Sequence, residues 1–334
     1  MWSIIQYTEQ YRLQHHALLV NLRNAGQYSV LRTAFGSGGF VSGHNEVGVA
    51  GLGVMGSAIA RRLLRRERAV TVYDIRPDAM APLARAGAAT AGSAAQLSAT
   101  ATVILSLNTA EIVERVVFGP DGILSAATEG VLVIDMSSID PGRTRDFAER
   151  AAKLGAGWVD APLSGGAPGA ERGELTLMLG GDEEHVERAL PVLGALATRL
   201  THLGPAGSGQ LVKSVNQVLV GCGFAALAEA AAVVRAAGLA PRQVLTALTG
   251  GRADSALLQE FFVKFAEADL TPTGRVSNMV KDLEAAREYA CSVGVPLPVT
   301  TTVSELHRWL AAAGHGDADN AALMHYYGTA EVRP

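Results

Sequence analysis

An otherwise apolar helical segment carries three polar side chains whose spacing could support chemistry. Lys213, Asn216 and Gln217 stand at positions i, i+3 and i+4, so a helix brings them to one face. Packing of an alanine-, valine- and leucine-rich helix does not require three polar groups together. A lysine buried here would have a lowered pKa, which suits a general acid and base near neutral pH. A solvated helix face would show the same spacing, and the spacing alone favours neither interpretation.

Three glycines spaced as G-x-G-x-x-G lie between a β-like run and a helical pattern. The run is Val47 to Ala50, the glycines are Gly51, Gly53 and Gly56, and the helix is predicted from Ser57 to Arg66. Glycine permits the tight turn from strand to helix and lets a pyrophosphate approach the N–H groups at the helix start. The pattern therefore predicts a dinucleotide-binding turn.

An acidic residue follows at the distance that such a turn requires. A second β-like run, Ala69 to Tyr73, leads to Asp74, which lies 23 residues after Gly51. In this motif an acidic side chain about 20 residues after the first glycine binds the ribose 2′-hydroxyl of NAD. The charge of Asp74 would repel a 2′-phosphate, which favours NAD, but Arg76 could pair with that phosphate, so NADP stays open. The alternative is a β-α-β unit with a glycine-rich turn and no ligand.

Two weaker patterns further along the chain could also bind ligands. The small-residue segment Ser164 to Ala170 could present N–H groups to a carboxylate, although a plain connector would have the same composition. Lys281-Asp-Leu283 is predicted to begin a helix that continues to Ala290, and taken alone it is typical of a surface ion pair. A separate glycine-rich segment, Gly36 to Phe40, follows no convincing strand and opens no helix, so it is not predicted to bind phosphate.

The elements that must position these residues alternate between strand and helix up to about residue 203. Asp78 and Asp140 are predicted N-caps, and Pro141 takes a first helical position. Repeated β-α units of this kind predict an α/β fold with a Rossmann-type doubly wound parallel sheet, whose strand ends carry the ligand-binding loops.

Beyond Gly204 the pattern is helical almost throughout, beginning with one long alanine-rich helix from Gln210 to Ala237. We therefore predict a dinucleotide-binding Rossmann domain at 46–205. An all-α C-terminal domain for substrate and oligomerisation follows at 206–330, and the long interdomain helix joins the two. Residues 1–45 are predicted to be a poorly ordered N-terminal extension, with an upstream translation start or an acid-poor targeting segment as alternatives.

Composition argues against several classes of function. The 334 residues are 49% hydrophobic with a net charge of −4, so there is no basic surplus that would suggest a nucleic-acid partner. Cys222 and Cys291 are the only cysteines, and the eight histidines show no ligand spacing. We predict reduced core thiols, no metal site and a cytoplasmic protein. The longest apolar stretch, Val218 to Ala228, is broken by Glu229 and Arg235, so no membrane span is predicted.

Across residues 46–330 the chain resembles the β-hydroxyacid dehydrogenases, the family of 3-hydroxyisobutyrate dehydrogenase and tartronate semialdehyde reductase. Four motifs occur in the family's order: Gly51-Leu-Gly-Val-Met-Gly56, Asp160-Ala-Pro-Leu-Ser-Gly-Gly166, Gly207-Ser-Gly-Gln-Leu-Val-Lys213 through Gln217, and Lys281-Asp-Leu283. Asp135-Met-Ser-Ser138 is also similar to the family's loop that contacts cofactor and substrate. Each motif alone is modest, but the set together is highly specific.

The resemblance implies a role for each motif. Lys213 would be the catalytic lysine. The substrate-binding residues would be Ser138, Ser164, Gly165, Gly166, Asn216 and Gln217. The cofactor-binding residues would be Gly51, Leu52, Gly53, Val54, Met55, Gly56, Asp74, Arg76, Leu107, Asn108, Ser137 and Lys281.

The resemblance also implies a reaction, which is reversible hydride transfer between NAD, or NADP, and a small-molecule hydroxy acid such as glycerate. The oxidised partner would be tartronate semialdehyde, and the enzyme would be a homodimer or homotetramer formed through the α-domain. Asn216-Gln217 stands where many members have two asparagines, and this form resembles the tartronate semialdehyde reductase branch. Gly250-Gly251, Gly314 to Asp319 and Tyr326-Tyr327 are similar to that branch as well.

Several alternatives remain. A 3-hydroxyisobutyrate-type or threonate-type dehydrogenase would share the same motifs. An imine reductase has a similar fold but lacks the lysine, so Lys213 argues against it. A non-catalytic dinucleotide-binding module is disfavoured by Lys213 together with Ser164-Gly-Gly166.

Overall fold

The computed structural model describes residues 27–29, 46–125 and 129–328, which fall into two compact units, Met1–Lys213 and Ser214–Pro334. Of residues 1–45 only Gln27–Ser29 is described, as a short strand. The predicted poorly ordered extension, its alternatives and the rejected Gly36 to Phe40 segment otherwise lie outside the described residues.

The described part of the first unit contains a ten-stranded sheet. Its strands are β1 (Gln27–Ser29), β2 (Glu46–Ala50), β3 (Ala69–Tyr73), β4 (Ala89–Thr90), β5 (Thr102–Leu105), β6 (Leu132–Asp135), β7 (Gly157–Asp160), β8 (Leu163–Ser164), β9 (Leu175–Gly181) and β10 (Ala197–His202). The spatial order is β1-β10-β9-β7-β6-β5-β2-β3-β4, and β8 pairs with β9. Strands β4, β3, β2, β5, β6 and β7 pair in parallel, whereas β9 is antiparallel to β7. This parallel order is that of a Rossmann fold, which confirms the predicted fold class.

The helices of this unit connect the strands, and the sheet has a core on each face. The α-helices are α1 (Val54–Arg65), α2 (Pro77–Arg85), α3 (Ala110–Phe118), α4 (Pro141–Lys153), α5 (Gly166–Arg172) and α6 (Glu183–Leu193), and a 3₁₀ helix spans Ala94–Ala99. Successive strand residues point to opposite faces. Thus Ile104 joins a core cluster with Ile59 and Leu63, while its neighbours Val103 and Leu105 join another cluster.

Two predicted helix starts had different outcomes. At the start of α4, Asp140 Oδ1 accepts a hydrogen bond from the N–H of Arg143 at 2.8 Å, so the predicted cap is confirmed. The predicted cap at Asp78 is wrong, because α2 begins at Pro77 and its N-cap is Arg76.

The second unit is helical. Helix α7 (Ser208–Ala236) begins in the first unit and continues into the second. It is followed by α8 (Pro241–Leu248), α9 (Ala256–Ala266), α10 (Val276–Ser292), α11 (Pro298–Leu310) and a 3₁₀ helix, Asn320–Tyr327. Phe224, Phe262, Phe265 and Leu283 lie in its buried core. Both cysteines are free. Cys222 is half-buried and packs against this core, whereas Cys291 is exposed, so the prediction of a core residue was wrong for Cys291.

Helix α7 alone among the described helices is long and apolar enough to cross a bilayer by length and composition. The absence of a membrane span stays a prediction. The core helix of a soluble protein passes the same test, and a third of the apolar window is buried inside the protein. Leu227, Ala228 and Ala231 of this helix belong to the core of the second unit.

Candidate active site

In the glycine turn between β2 and α1, two positions have no room for a side chain and a third has free space beside it. Gly51 has φ +88°, and a Cβ there would lie 2.4 Å from the Ser106 carbonyl oxygen. A Cβ at Gly56 would lie 1.8 Å from the carbonyl oxygen of Gly51. A Cβ at Gly53 would meet no protein atom within 4 Å, so this glycine leaves space beside the helix start. This space would let a pyrophosphate bind to the first backbone N–H groups of α1.

Leu52, Val54 and Met55 complete the turn. Leu52 is buried in the core beneath it, whereas Val54 on the first turn of α1 is 76% exposed and Met55 is half-buried. The turn therefore presents backbone and one apolar side chain, Val54, to the outside.

Asp74 is held beside this turn with its carboxylate charged. Its Oδ2 accepts a hydrogen bond from the N–H of Leu52 at 2.7 Å, and its Oδ1 accepts from the N–H of Arg76 at 2.9 Å. Burial would raise the pKa of Asp74, but these N–H groups and the guanidinium of Arg76 outweigh it, so the pKa lies below its usual value. An ionised carboxylate has about four acceptor positions, which leaves capacity for a ribose hydroxyl.

The loops that follow β5 and β6 are tied together at Ser137. Ser137 Oγ accepts a hydrogen bond from the N–H of Leu107 at 3.0 Å, and its own N–H donates to Asp135 Oδ1 at 2.9 Å. Asn108 is exposed and Ser138 is half-buried, next to these anchored residues. The fold therefore places all four predicted residues of these two loops at adjacent strand ends of the sheet.

Lys213 lies in the second turn of α7, and its amine is oriented by a backbone carbonyl. Lys213 Nζ donates a hydrogen bond to the carbonyl oxygen of Leu163 at 3.0 Å. The next residue, Ser164, ends β8, and Gly165 and Gly166 follow with φ of +119° and +59°. The prediction of Ser164 to Ala170 as a loop was wrong, because β8 includes Ser164 and α5 begins at Gly166.

The remaining predicted residues form a polar chain within the second unit. Asn216 Nδ2 donates to Gln217 Oε1 at 2.9 Å, and Gln217 Nε2 donates to Asp282 Oδ2 at 2.6 Å. Asp282 also pairs with Lys281, with an Nζ to Oδ1 distance of 3.3 Å. Lys281 does not begin a helix as predicted, because α10 already begins at Val276.

Comparison with known proteins identifies the family. The model of the "NAD binding domain of 6-phosphogluconate dehydrogenase" matches residues 46–204. The model "NAD-binding of NADP-dependent 3-hydroxyisobutyrate dehydrogenase" matches residues 207–327. The chain belongs to the 3-hydroxyisobutyrate dehydrogenase family. As a member of that family it is an NAD(P)-dependent oxidoreductase, which confirms the predicted family, enzyme class and cofactor class.

Individual relatives agree with this assignment. The 2-(hydroxymethyl)glutarate dehydrogenase of Eubacterium barkeri is 36% identical over 84% of this chain and 93% of its own length. The 2-hydroxy-3-oxopropionate reductase of Escherichia coli is 35% identical over 84% of this chain and 96% of its own. A crystal structure of 3-hydroxyisobutyrate dehydrogenase from Salmonella typhimurium covers 84% of this chain and 99% of its own at 31% identity, with a TM-score of 0.77.

Two buried residues lie within the quoted motifs but were given no role by sequence reasoning. Asp160, at the end of β7, is fully buried, and its carboxylate accepts hydrogen bonds from the N–H groups of Gly207 and Gln210 at 2.8 and 3.0 Å. Burial raises the pKa of Asp160, and the N–H donors oppose that shift. Gln210, on the first turn of α7, is 1% exposed. Their signal was a polar residue at the end of an apolar strand and another at the start of an apolar helix.

The described residues include no group of three histidine, cysteine, aspartate or glutamate side chains that could hold a metal ion.

Proposed function

We propose that this dehydrogenase interconverts a short 3-hydroxy acid and the corresponding 3-oxo acid, with Lys213 as the general acid and base and NAD as the preferred cofactor. The pair glycerate and tartronate semialdehyde is the first candidate, because a 2-hydroxy-3-oxopropionate reductase is 35% identical to the chain. The observation that carries the proposal is the hydrogen bond from Lys213 Nζ to the carbonyl of Leu163, next to Ser164.

The residues divide the chemistry between binding and proton transfer. The nicotinamide, when bound, supplies the hydride that reduces the aldehyde carbon. Negative charge then develops on the aldehyde oxygen, and the Lys213 ammonium donates a proton to it, leaving a neutral amine. In the reverse direction the neutral amine takes the hydroxyl proton, and the carbon gives up its hydride to the oxidised dinucleotide.

The substrate carboxylate would be bound by hydroxyl and backbone N–H groups. Ser138 and Ser164 supply hydroxyls, and Gly165 and Gly166, which are both exposed, supply N–H groups. Asn216 and Gln217 would orient the substrate hydroxyl and carboxylate. Gln217 is itself oriented by Asp282 at 2.6 Å, so its amide is preorganised for that task.

The cofactor roles and the domain limits belong to the same proposal. The Gly51 to Gly56 turn would hold the pyrophosphate, Asp74 the ribose, and Leu107, Asn108, Ser137 and Lys281 further parts of the dinucleotide. We assign dinucleotide binding to residues 46–205, and substrate selection and subunit contacts to residues 206–330.

Replacement of Lys213 tests the central role. Lys213→Ala should lower kcat by roughly 10²–10⁴-fold, which is the usual contribution of a general acid or base. Thermal unfolding followed by circular dichroism should be little changed, because Lys213 is only half-buried. Lys153→Ala, which removes an exposed lysine at the end of α4, is the matched control and should keep wild-type turnover. Near-normal turnover of Lys213→Ala would refute the proposed role.

A substrate panel tests the reaction class and the alternatives. Glycerate, 3-hydroxyisobutyrate and threonate are each offered with NAD and with NADP, and dinucleotide reduction is followed by absorbance. Turnover of threonate or 3-hydroxyisobutyrate but not of glycerate would move the chain to another branch of the family. Reduction of a cyclic imine without turnover of any hydroxy acid would indicate an imine reductase. Binding of the dinucleotide with no turnover at all would indicate a non-catalytic module.

A further inference from the structure

The side-chain amide of Gln210 is hydrogen-bonded to the backbone on both sides of Ser138. Gln210 Nε2 donates to the carbonyl oxygen of Ser137 at 2.8 Å, and Gln210 Oε1 accepts from the N–H of Ile139 at 3.2 Å. Both contacts are buried, and Gln210 itself is 1% exposed. The carboxamide therefore fixes the two peptide groups that flank Ser138. Only one orientation of the amide places its NH₂ group at the carbonyl oxygen and its oxygen at the N–H group.

The backbone of Gln210 is fixed as firmly as its side chain. The Gln210 N–H donates to Asp160 Oδ2 at 3.0 Å, and the N–H of Gly207 donates to Asp160 Oδ1 at 2.8 Å. A Cβ at Gly180 or Gly209 would lie 2.5 or 2.8 Å from an Asp160 oxygen, so the carboxylate is closely enclosed by backbone. Asp160 thus anchors the start of α7 to the end of β7.

Lys213 lies three residues after Gln210, on the next turn of the same helix. Its amine donates a hydrogen bond to the carbonyl oxygen of Leu163, which lies three residues after Asp160. One helix turn therefore separates the Lys213 amine, which would transfer the proton, from the Gln210 carboxamide, which fixes the backbone around Ser138. Both residues belong to α7, which holds Lys213 at a fixed distance from Gln210. A side chain at position 210 that no longer held the backbone around Ser138 would therefore change the distance between Ser138 and Lys213.

We propose that Gln210 is a positioning residue of the dehydrogenase reaction, setting the place of the Ser138 hydroxyl relative to the Lys213 amine. Gln210 itself touches neither substrate nor cofactor in this assignment. The inference rests on the proposed function, in which Ser138 binds the substrate carboxylate and Lys213 transfers the proton. Misplacement of reacting groups by about 1 Å can cost on the order of 100-fold in rate.

The first test replaces the amide by an apolar group of similar length. Gln210→Met should lower kcat with the hydroxy acid by about 10- to 100-fold. The Kd for NADH, measured by fluorescence titration, should change less than kcat does, because the lost contact involves one cofactor residue, Ser137, and spares the glycine turn and Asp74. Gln96→Met is the matched control: Gln96 Oε1 also accepts a backbone N–H, that of Gly92 at 2.7 Å, but on the exposed surface. Gln96→Met should keep wild-type kcat, and wild-type kcat in Gln210→Met would overturn the proposal.

A double-mutant cycle separates positioning from general loosening of the fold. If Gln210 acts through Ser138, Ser138→Ala should cost less in kcat/KM when added to Gln210→Met than when made in the wild type. If Ser138→Ala lowered kcat/KM by the same factor in the wild type and in Gln210→Met, the proposal would be overturned. Should Gln210→Met fail to fold, Gln210→Glu replaces it in both measurements.

Gln210→Glu also supplies a pH readout. An ionised glutamate cannot donate to the Ser137 carbonyl, whereas a protonated one can, so the kcat ratio of variant to wild type should rise as pH falls. A ratio below one that does not change with pH would contradict the proposed contact. Failure of the proposed function is distinguishable, because the wild type itself would then turn over no hydroxy acid. Failure of this inference alone would leave wild-type turnover and the Lys213→Ala defect intact.

Discussion

At the scale of single residues, Asp74 is expected to decide which dinucleotide the enzyme uses. Its carboxylate binds Leu52 of the glycine turn and Arg76, whose side chain is 68% exposed. A charged carboxylate repels a 2′-phosphate, so kcat/KM should be higher for NADH than for NADPH. Asp74→Ser should shift the ratio of the two kcat/KM values toward NADPH by about tenfold or more, which corresponds to about 1.4 kcal/mol.

The control for this prediction is Asp78→Ser, which removes a neighbouring exposed carboxylate in the first turn of α2 and should leave the ratio unchanged. A wild-type preference for NADPH would show that Arg76, and not Asp74, governs the choice.

At the scale of elements, the sequence predicted those features whose causes are local. The glycine turn, the Asp140 cap and the strand alternation depend on residues within a few positions of each other. The carboxylate of Asp160 could not be assigned, because its partners Gly207 and Gln210 lie 47 and 50 positions away. For the same reason the contact of Lys213 with Leu163, also 50 positions apart, appears only in the folded chain.

Helix α11 offers a prediction about pH. His307 is fully buried in the second unit, and its Nδ1 donates to the carbonyl oxygen of Val303 at 2.9 Å. Burial lowers the pKa of His307 below its ordinary 6.5, although the Val303 carbonyl and Asn320 act in the opposite direction. The unfolded chain then binds the proton more readily than the folded one. The free energy of unfolding should therefore fall as pH drops below 6.5 toward the folded pKa, by at most ~1.4 kcal/mol per pH unit.

Urea unfolding of the wild type and of His307→Gln, each at pH 7.5 and pH 5.5, measures this effect. The wild type should lose more stability than the variant between the two pH values, since carboxylates common to both titrate alike. An equal loss in the two proteins would show that His307 does not contribute.

At the scale of the whole molecule, we propose that copies of the chain associate through α7 as a cytoplasmic homodimer or homotetramer. Val215, Leu219 and Val233 are 52%, 69% and 68% exposed, and their spacing places them on one side of that helix. Exposed apolar side chains aligned along a helix are typical of a surface that another protein or a membrane covers. A second copy is favoured over a bilayer, because Glu229 and Arg235 of α7 would be costly to place in lipid.

Light scattering coupled to size-exclusion chromatography distinguishes these states. The wild type should elute with two or four times the 34.7 kDa mass of the chain. The double variant Leu219→Glu, Val233→Glu should elute at a smaller mass, because two charges would have to be buried without partners at the contact. Leu154→Glu changes an exposed leucine of the first unit and should leave the mass unchanged. A monomeric wild type would refute the proposed assembly, and recovery of the chain in the membrane fraction of a lysate would instead assign the exposed side of α7 to lipid.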